Sequence, residues 1–300
     1  MEPILKTSYP GGKTLRDKWY QIDFRFKRVK EFFLKFWRSE DGKIALIRDV
    51  VVAVVAVLII LVALWSYTGQ WWGAPMVAIE TGSMMHPDEE TFGRLGTIDP
   101  GDMVLLVKVN SRSDVLAYID AKNQGREELK TYWDYGDVIV YRPEGNPDET
   151  QIIHRAMCWI EYNEEYETYT IDGYDITNET SINIPELRVN GYRPSHSGFI
   201  TKGDNNEYTD QTGGICNEPI ELDWISGKAR SELPWIGTIN LFFNDLMSGS
   251  FWDNSGNITV YNVPSDSVIC LIILIAVLIS IPIFLDLYDY YRLKKKQQQI

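Results

Sequence analysis

The chain has 300 residues, of which 45% are hydrophobic and 13% aromatic, and its formal net charge is −13. This composition suffices for one sizeable core or two modest ones, and it excludes a disordered or collagen-like chain. The acidity argues against a nucleic-acid-binding protein, which needs a basic surface. The charge is uneven: residues 1–49 carry +5, residues 66–266 carry −20 and residues 286–300 carry +2.

The first segment, residues 1–43, is a basic and aromatic arm. Its apolar side chains recur at spacings of three and four residues, with lysines and arginines between them, at Ile22, Phe26, Val29, Phe33 and Phe36. This spacing predicts a helix with one apolar face, suited to lying on an anionic membrane surface. A helix packed on a partner subunit is the alternative.

Two long apolar runs divide the chain. Residues 50–65 include no polar side chain, and residues 268–285 are interrupted by one serine and one proline. A helix needs about 20 apolar residues to cross a bilayer, so both runs predict transmembrane helices, over residues 44–67 and 267–285. Buried helices of a soluble protein are the less favoured alternative.

The charges that flank the two runs predict the topology. Lysines and arginines concentrate before the first run and after the second, where residues 292–296 contain four of them. By the positive-inside rule, the arm and the tail at 286–300 are predicted to be cytoplasmic, and residues 68–266 to lie outside.

The middle segment, residues 68–266, is predicted to be mainly β, because branched and aromatic residues cluster in short runs bounded by turn-forming residues. The predicted strands are residues 76–79, 103–109, 138–141, 152–162, 166–171 and 199–201. The acidic stretches near 110–135 and 161–198 are predicted to be loop-rich insertions. No long amphipathic helix is expected between the spans.

The middle segment holds all three histidines but no spacing typical of a metal site, so we expect no metal and no cofactor. Hydrolysis by an activated side-chain nucleophile remains. The spacing of Cys158 and Cys216 leaves open whether they form a disulfide.

Ser83 is the candidate nucleophile, since it follows Gly82 directly after the first predicted strand. The alternative is an ordinary turn. A serine nucleophile needs a general base within hydrogen-bond reach, donors for the developing oxyanion and a group that orients the base.

His154 is the candidate base. On a regular strand its side chain shares a face with Ile152, Ala156 and Cys158, so it is either a core histidine or a neutral imidazole beside a cleft. Two further candidates, Asp204 and Asp210, follow the last predicted strand in a turn-like stretch. There a carboxylate can orient the histidine or brace the turn.

Six blocks, taken in chain order, resemble signal peptidase I of the archaeal and endoplasmic-reticulum type, the catalytic subunit of the signal peptidase complex. The blocks are residues 80–84, 100–104, 135–141, 152–155, 199–206 with Asp210, and 225–230 followed by 233–237. The similarity covers roughly residues 76–243, with gaps.

The resemblance implies a membrane-bound serine endopeptidase that cleaves N-terminal signal peptides from exported preproteins. In this family's pattern Ser83 is the nucleophile, His154 the general base and Asp210 the carboxylate that orients it. Asp204 is implied to be a second, supporting aspartate. The Thr81 hydroxyl and the Ser83 backbone N–H are implied to form the oxyanion hole.

The resemblance also implies a β-rich catalytic domain at the outer surface of the cell membrane or of the endoplasmic-reticulum membrane. Its expected partners are the lipid bilayer and preproteins with small residues at −1 and −3, with the translocation machinery as a further candidate and no nucleic acid. The general base must be neutral, so activity is expected to rise with pH as an imidazole loses its proton.

Three departures from the family pattern leave alternatives open. One extra residue separates Ser83 from Pro87, residues 161–198 are inserted, and the second span extends the usual plan. His86 is an alternative base outside the matching blocks. The alternative functions are a non-catalytic paralogue that binds signal sequences or acts as a scaffold, and a dedicated processor of few surface proteins.

Overall fold

A computed structural model describes residues 30–31, 34–39, 41–71, 74–86, 96–248 and 265–297. Most of the basic arm lies outside the described residues, including Ile22, Phe26, Val29 and Phe33, so its apolar helix face stays a prediction. The chain forms two units, Met1–Leu64 and Trp65–Ile300.

Two long helices carry the apolar runs. Helix α1 spans Gly42–Thr68. The last helix of the chain, α5, spans Ser265–Gln297 and continues well beyond the apolar run at 268–285. Both are long and apolar enough to cross a membrane, and nearly all side chains in their apolar windows are exposed, unlike those of a core helix. The two helices therefore indicate a membrane protein.

Between the two long helices the chain forms antiparallel strands and three shorter helices. In chain order the strands are β1 (Met76–Ala78), β2 (Met103–Val107), β3 (Lys130–Thr131), β4 (Asp134–Tyr135), β5 (Val138–Tyr141), β6 (Ile152–Asn163), β7 (Thr168–Ile171), β8 (Ile176–Glu179), β9 (Ile182–Ile184), β10 (Val189–Tyr192), β11 (Gly198–Lys202) and β12 (Ile225–Leu233). The helices are α2 (Tyr118–Gln124), α3 (Asp210–Gly213) and α4 (Gly237–Ser248).

Eight of these strands form one sheet in the order β1-β2-β12-β5-β6-β7-β8, with β11 also paired to β6. Strands β3 and β4 form a separate hairpin, as do β9 and β10. The predicted fold class, mainly β between two apolar helices, is confirmed. The six predicted strands are all present with small shifts at their ends, whereas β3, β4, β8, β9, β10 and β12 were not among them.

Residues 161–198 were predicted to be loop-rich, and turns separate all their elements. Besides the predicted strand β7, however, this stretch contains β8, β9 and β10, and its apolar side chains form a buried cluster with Ile160 and Ile200 of the neighbouring strands. Residues 110–135 likewise contain α2, whose Ile119 and Ala121 are buried. Apart from β7, these elements were not predicted, because they are short and are separated by polar turns.

Between the spans no long amphipathic helix was expected, and the longest helix among the described residues there is α4, which has 12 residues and a pronounced apolar face. Its glycine, threonine and asparagines have low helix propensity, which hides the helix in the sequence. Its first residue, Gly237, packs so tightly on the backbone of Asp102 that a Cβ would clash there.

Strand β6 contains a bulge that alters which side chains share a face. Ile200 of β11 pairs with Cys158, whereas Thr201 pairs with Ala156, so Met157 is the extra residue. Ala156 consequently packs in one core cluster, and Cys158 packs in another together with Met157. The expectation that Cys158 shares the face of His154 is therefore wrong. Cys158 and Cys216 are both buried, and neither forms a disulfide.

Candidate active site

Ser83 lies in a single 3₁₀ turn, Gly82–Met84, shortly after β1. The buried side chain of Met84 packs with Ile79 and Val104 and holds the turn against the core. The Ser83 side chain stays partly exposed. Its Oγ lies 3.4 Å from Oγ1 of Thr81.

The loop after β11 grips this turn from the other side. The backbone N–H of Asn205 donates to the carbonyl of Ser83 at 2.9 Å, and its side-chain amide donates to the carbonyl of Gly82 at 3.1 Å. A Cβ on Gly203 would lie only 2.6 Å from the Ser83 oxygen, so the close approach requires glycine there. The backbone of the serine turn is therefore fixed by the loop 203–206.

His154 lies on β6, opposite Ile139 of β5, and is 2% exposed. Its Nδ1 lies 2.8 and 2.7 Å from the two carboxylate oxygens of Asp210. An ionised carboxylate only accepts hydrogen bonds, so Nδ1 carries the proton and donates it. Nε2 of the neutral ring is then left with a lone pair, as a general base requires.

Asp210 begins α3 and is completely buried. Besides His154, two hydroxyls donate to its Oδ2: that of Tyr141 at 2.7 Å and that of Thr201 at 2.6 Å. Three donors thus stabilise a carboxylate that would otherwise be costly to bury. Burial, and then the neighbouring Asp210 carboxylate, raise the pKa of Tyr141, which keeps its proton as a donor.

Ser83 and His154 line the same cleft, which has a volume of about 520 Å³. Thr81 also lines the cleft, as do Val77 of β1 and Ile79 just after that strand. None of the hydrogen bonds found in the described part of the chain joins Ser83 to His154. Such contacts are commonly long without substrate and tighten when it binds.

Asp204 is held apart from the His154–Asp210 pair. Its carboxylate accepts from Nε and Nη2 of Arg155, at 2.8 and 2.5 Å. Arg155 is 1% exposed, and its Nη1 also donates to several backbone carbonyls of the β3–β4 hairpin. Asp204 therefore ties the loop that supports Ser83 to this hairpin.

His86 points toward the same hairpin. Its Nε2 lies 3.2 Å from the carbonyl of Tyr132 and 3.7 Å from Oδ2 of Asp204. Pro87 and the acidic residues after it lie outside the described residues.

Sequence reasoning missed Tyr141 and Thr201, which complete the surroundings of Asp210. Both lie within predicted strands, where a hydroxyl that supports a site looks like any other strand residue.

In the described ranges, no group of three or more His, Cys, Asp or Glu side chains could hold a metal ion. No protein-family model matches the chain.

Proposed function

We propose that this protein is a membrane-bound serine endopeptidase that removes signal peptides from exported preproteins, as the resemblance to signal peptidase I implies. The observation that carries the proposal is that His154, which pairs with the buried Asp210, lines the same cleft as Ser83. A nucleophile, a base in the required tautomer and an orienting carboxylate are the components of Ser-His-Asp catalysis.

The reaction starts when Nε2 of His154 takes the proton from Ser83 Oγ, which attacks the scissile carbonyl carbon. The carbonyl oxygen becomes an oxyanion, stabilised by the Ser83 backbone N–H and the Thr81 hydroxyl. His154 then protonates the leaving amine, and water hydrolyses the acyl-enzyme by the reverse proton path. Asp210 stabilises the imidazolium formed in each step.

The cleft suits an extended peptide. Strand β1 is the first strand in the sheet order and pairs with β2, and Ser83 follows shortly after it in the chain. A substrate that adds to this edge gains backbone hydrogen bonds regardless of its sequence, while side-chain pockets select small residues at −1 and −3. Such binding would let one enzyme act on preproteins of unrelated sequence.

The proposed topology places both termini in the cytoplasm and the sheet domain outside, in the cell membrane or the endoplasmic-reticulum membrane. The asymmetry of basic residues supports this arrangement. Anchored there, the cleft meets a signal peptide where it leaves the bilayer, and the effective concentration of substrate is high.

The test is cleavage of preproteins by the full-length protein in liposomes, comparing wild type, Ser83→Ala and the control Ser195→Ala. Ser195 is an exposed serine of the same domain. We expect cleavage after a small residue by wild type and the control, and none by Ser83→Ala.

Undiminished cleavage by Ser83→Ala would show that the nucleophile is wrong. Binding without cleavage by wild type, over several unrelated preproteins, would favour a non-catalytic signal-sequence receptor or scaffold. Cleavage of one preprotein among many would favour a dedicated processor.

A further inference from the structure

Helix α4 buries only a narrow side of three residues and exposes most of its large apolar side chains. Gly237, Thr238 and Leu241 pack against the domain. The exposed side follows helical spacing and is formed by the large apolar side chains of Ile239, Phe242, Phe243, Leu246 and Met247. Phe243 is 56% exposed and Met247 86%. A surface helix of a soluble domain shows the opposite arrangement.

The start of α4 is fixed to the turn at residues 100–102. The backbone N–H of Thr238 donates to the carbonyl of Gly101 at 2.9 Å, and its hydroxyl donates to the same oxygen at 3.3 Å. The backbone N–H of Trp235 donates to Oδ1 of Asp102 at 2.9 Å. The orientation of α4 on the domain is therefore set at its first turn.

The same turn holds the beginning of α5. The buried hydroxyl of Ser267 donates to the carbonyl of Pro100 at 3.3 Å, and Cys270 and Leu271 are also buried. From Ile272 onward most side chains of α5 are exposed and apolar. The apolar run of α5 begins at residue 268, so the bilayer begins close to the turn that also anchors α4.

We propose that α4 lies in the plane of the membrane surface on the side of the sheet domain, with Ile239, Phe243, Leu246 and Met247 immersed among the lipids. Lipid is the occupant because α4 begins where the membrane-spanning part of α5 begins, and because α4 contacts α5. The helix has one charged residue, Asp245. Its affinity for the bilayer thus comes from apolar area rather than from attraction to anionic lipids.

The test measures the depth of labelled positions in the full-length protein, reconstituted in phosphatidylcholine vesicles. A polarity-sensitive fluorophore is attached to Phe243→Cys or Met247→Cys, and to the matched control Asn244→Cys. Asn244 is exposed on the same helix and lies well outside the apolar stripe. Wild type treated with the same reagent gives the background from the three buried native cysteines.

We expect lipids with a nitroxide high on the acyl chain to quench the labels at 243 and 247 at least twofold more strongly than the label at 244. Aqueous iodide is expected to show the reverse order. Equal quenching at all three positions would overturn the proposal.

Protection of positions 243 and 247 from both quenchers would also overturn it, because protein would then cover the face. If this protection is lost at high dilution of the protein in lipid, the cover is a second copy. If it persists, the cover belongs to the same chain. Because no step concerns cleavage, the result is independent of the proposed peptidase activity.

Discussion

Replacement of Asp210 by asparagine is the sharpest test of whether Asp210 sets the tautomer of His154, the proposed general base. Asparagine keeps the shape of the side chain but has one acceptor oxygen. If that oxygen stays with the hydroxyls of Tyr141 and Thr201 at the Oδ2 position, the new NH₂ group faces His154 Nδ1, which lies 2.8 Å from Oδ1. An NH₂ donor there favours the tautomer that carries its proton on Nε2, and this tautomer cannot accept the serine proton.

We therefore expect kcat/KM for a preprotein to fall about 10⁴-fold, which corresponds to about 5.5 kcal/mol of transition-state stabilisation. The fold should persist, because both hydroxyls keep an acceptor, and the free energy of unfolding should fall by only about 1–2 kcal/mol. Tyr141→Phe is the control, since it removes one donor without changing the tautomer, and its loss of activity should stay near tenfold or less. A folded Asp210→Asn protein within tenfold of wild type would refute the reasoning.

Three further predictions concern the support of the site. Gly203→Ala should lower kcat/KM at least tenfold and destabilise the fold by about 1–3 kcal/mol, since the new Cβ would collide with the Ser83 carbonyl; Gly213→Ala, where the Cβ meets its nearest neighbour at 3.6 Å, should be near neutral. Arg155→Met should lower the free energy of unfolding by about 3–5 kcal/mol, because Asp204 is left buried without its partner; a loss below 1 kcal/mol in denaturant titration would contradict this. The two buried cysteines of the sheet domain should react with iodoacetamide only after unfolding, because burial raises the pKa of both thiols, to about 11 for Cys216; rapid alkylation of the native protein, measured by mass spectrometry, would disprove their burial.

Strands with branched and aromatic residues could be predicted from the sequence, but β12 could not. Its polar residues, such as Lys228 and Arg230, indicate an exposed segment, yet it lies between β2 and β5 in the sheet. The Lys228 ammonium is stabilised by the carboxylate of Asp137 at 3.0 Å and the carbonyl of Asp114 at 2.5 Å. Tertiary pairing of this kind overrides strand propensity and has no local signal.

In the candidate site, too, some residues could be named from the sequence, whereas their contacts could not. The resemblance names Ser83, His154 and Asp210 together, although they are far apart in the chain, and spacing alone could not have placed them beside one cleft. The separate pairing of Asp204 with Arg155 was not expected. Strand alternation assigns Arg155 to the opposite face from His154, but only the folded chain shows which carboxylate meets it.

The place of β12 in the sheet has a consequence for synthesis of the protein. Ser83 lies in the connection between β1 and β2, and His154 lies on β6 of the hairpin β5–β6. Strand β12 pairs with both β2 and β5 and so joins the two hairpins in the sheet. Among the described strands β12 is the last to leave the ribosome, so the two hairpins stay unlinked in the sheet until most of the chain has been made. The sheet that carries Ser83 and His154 on its two halves is therefore completed late in synthesis.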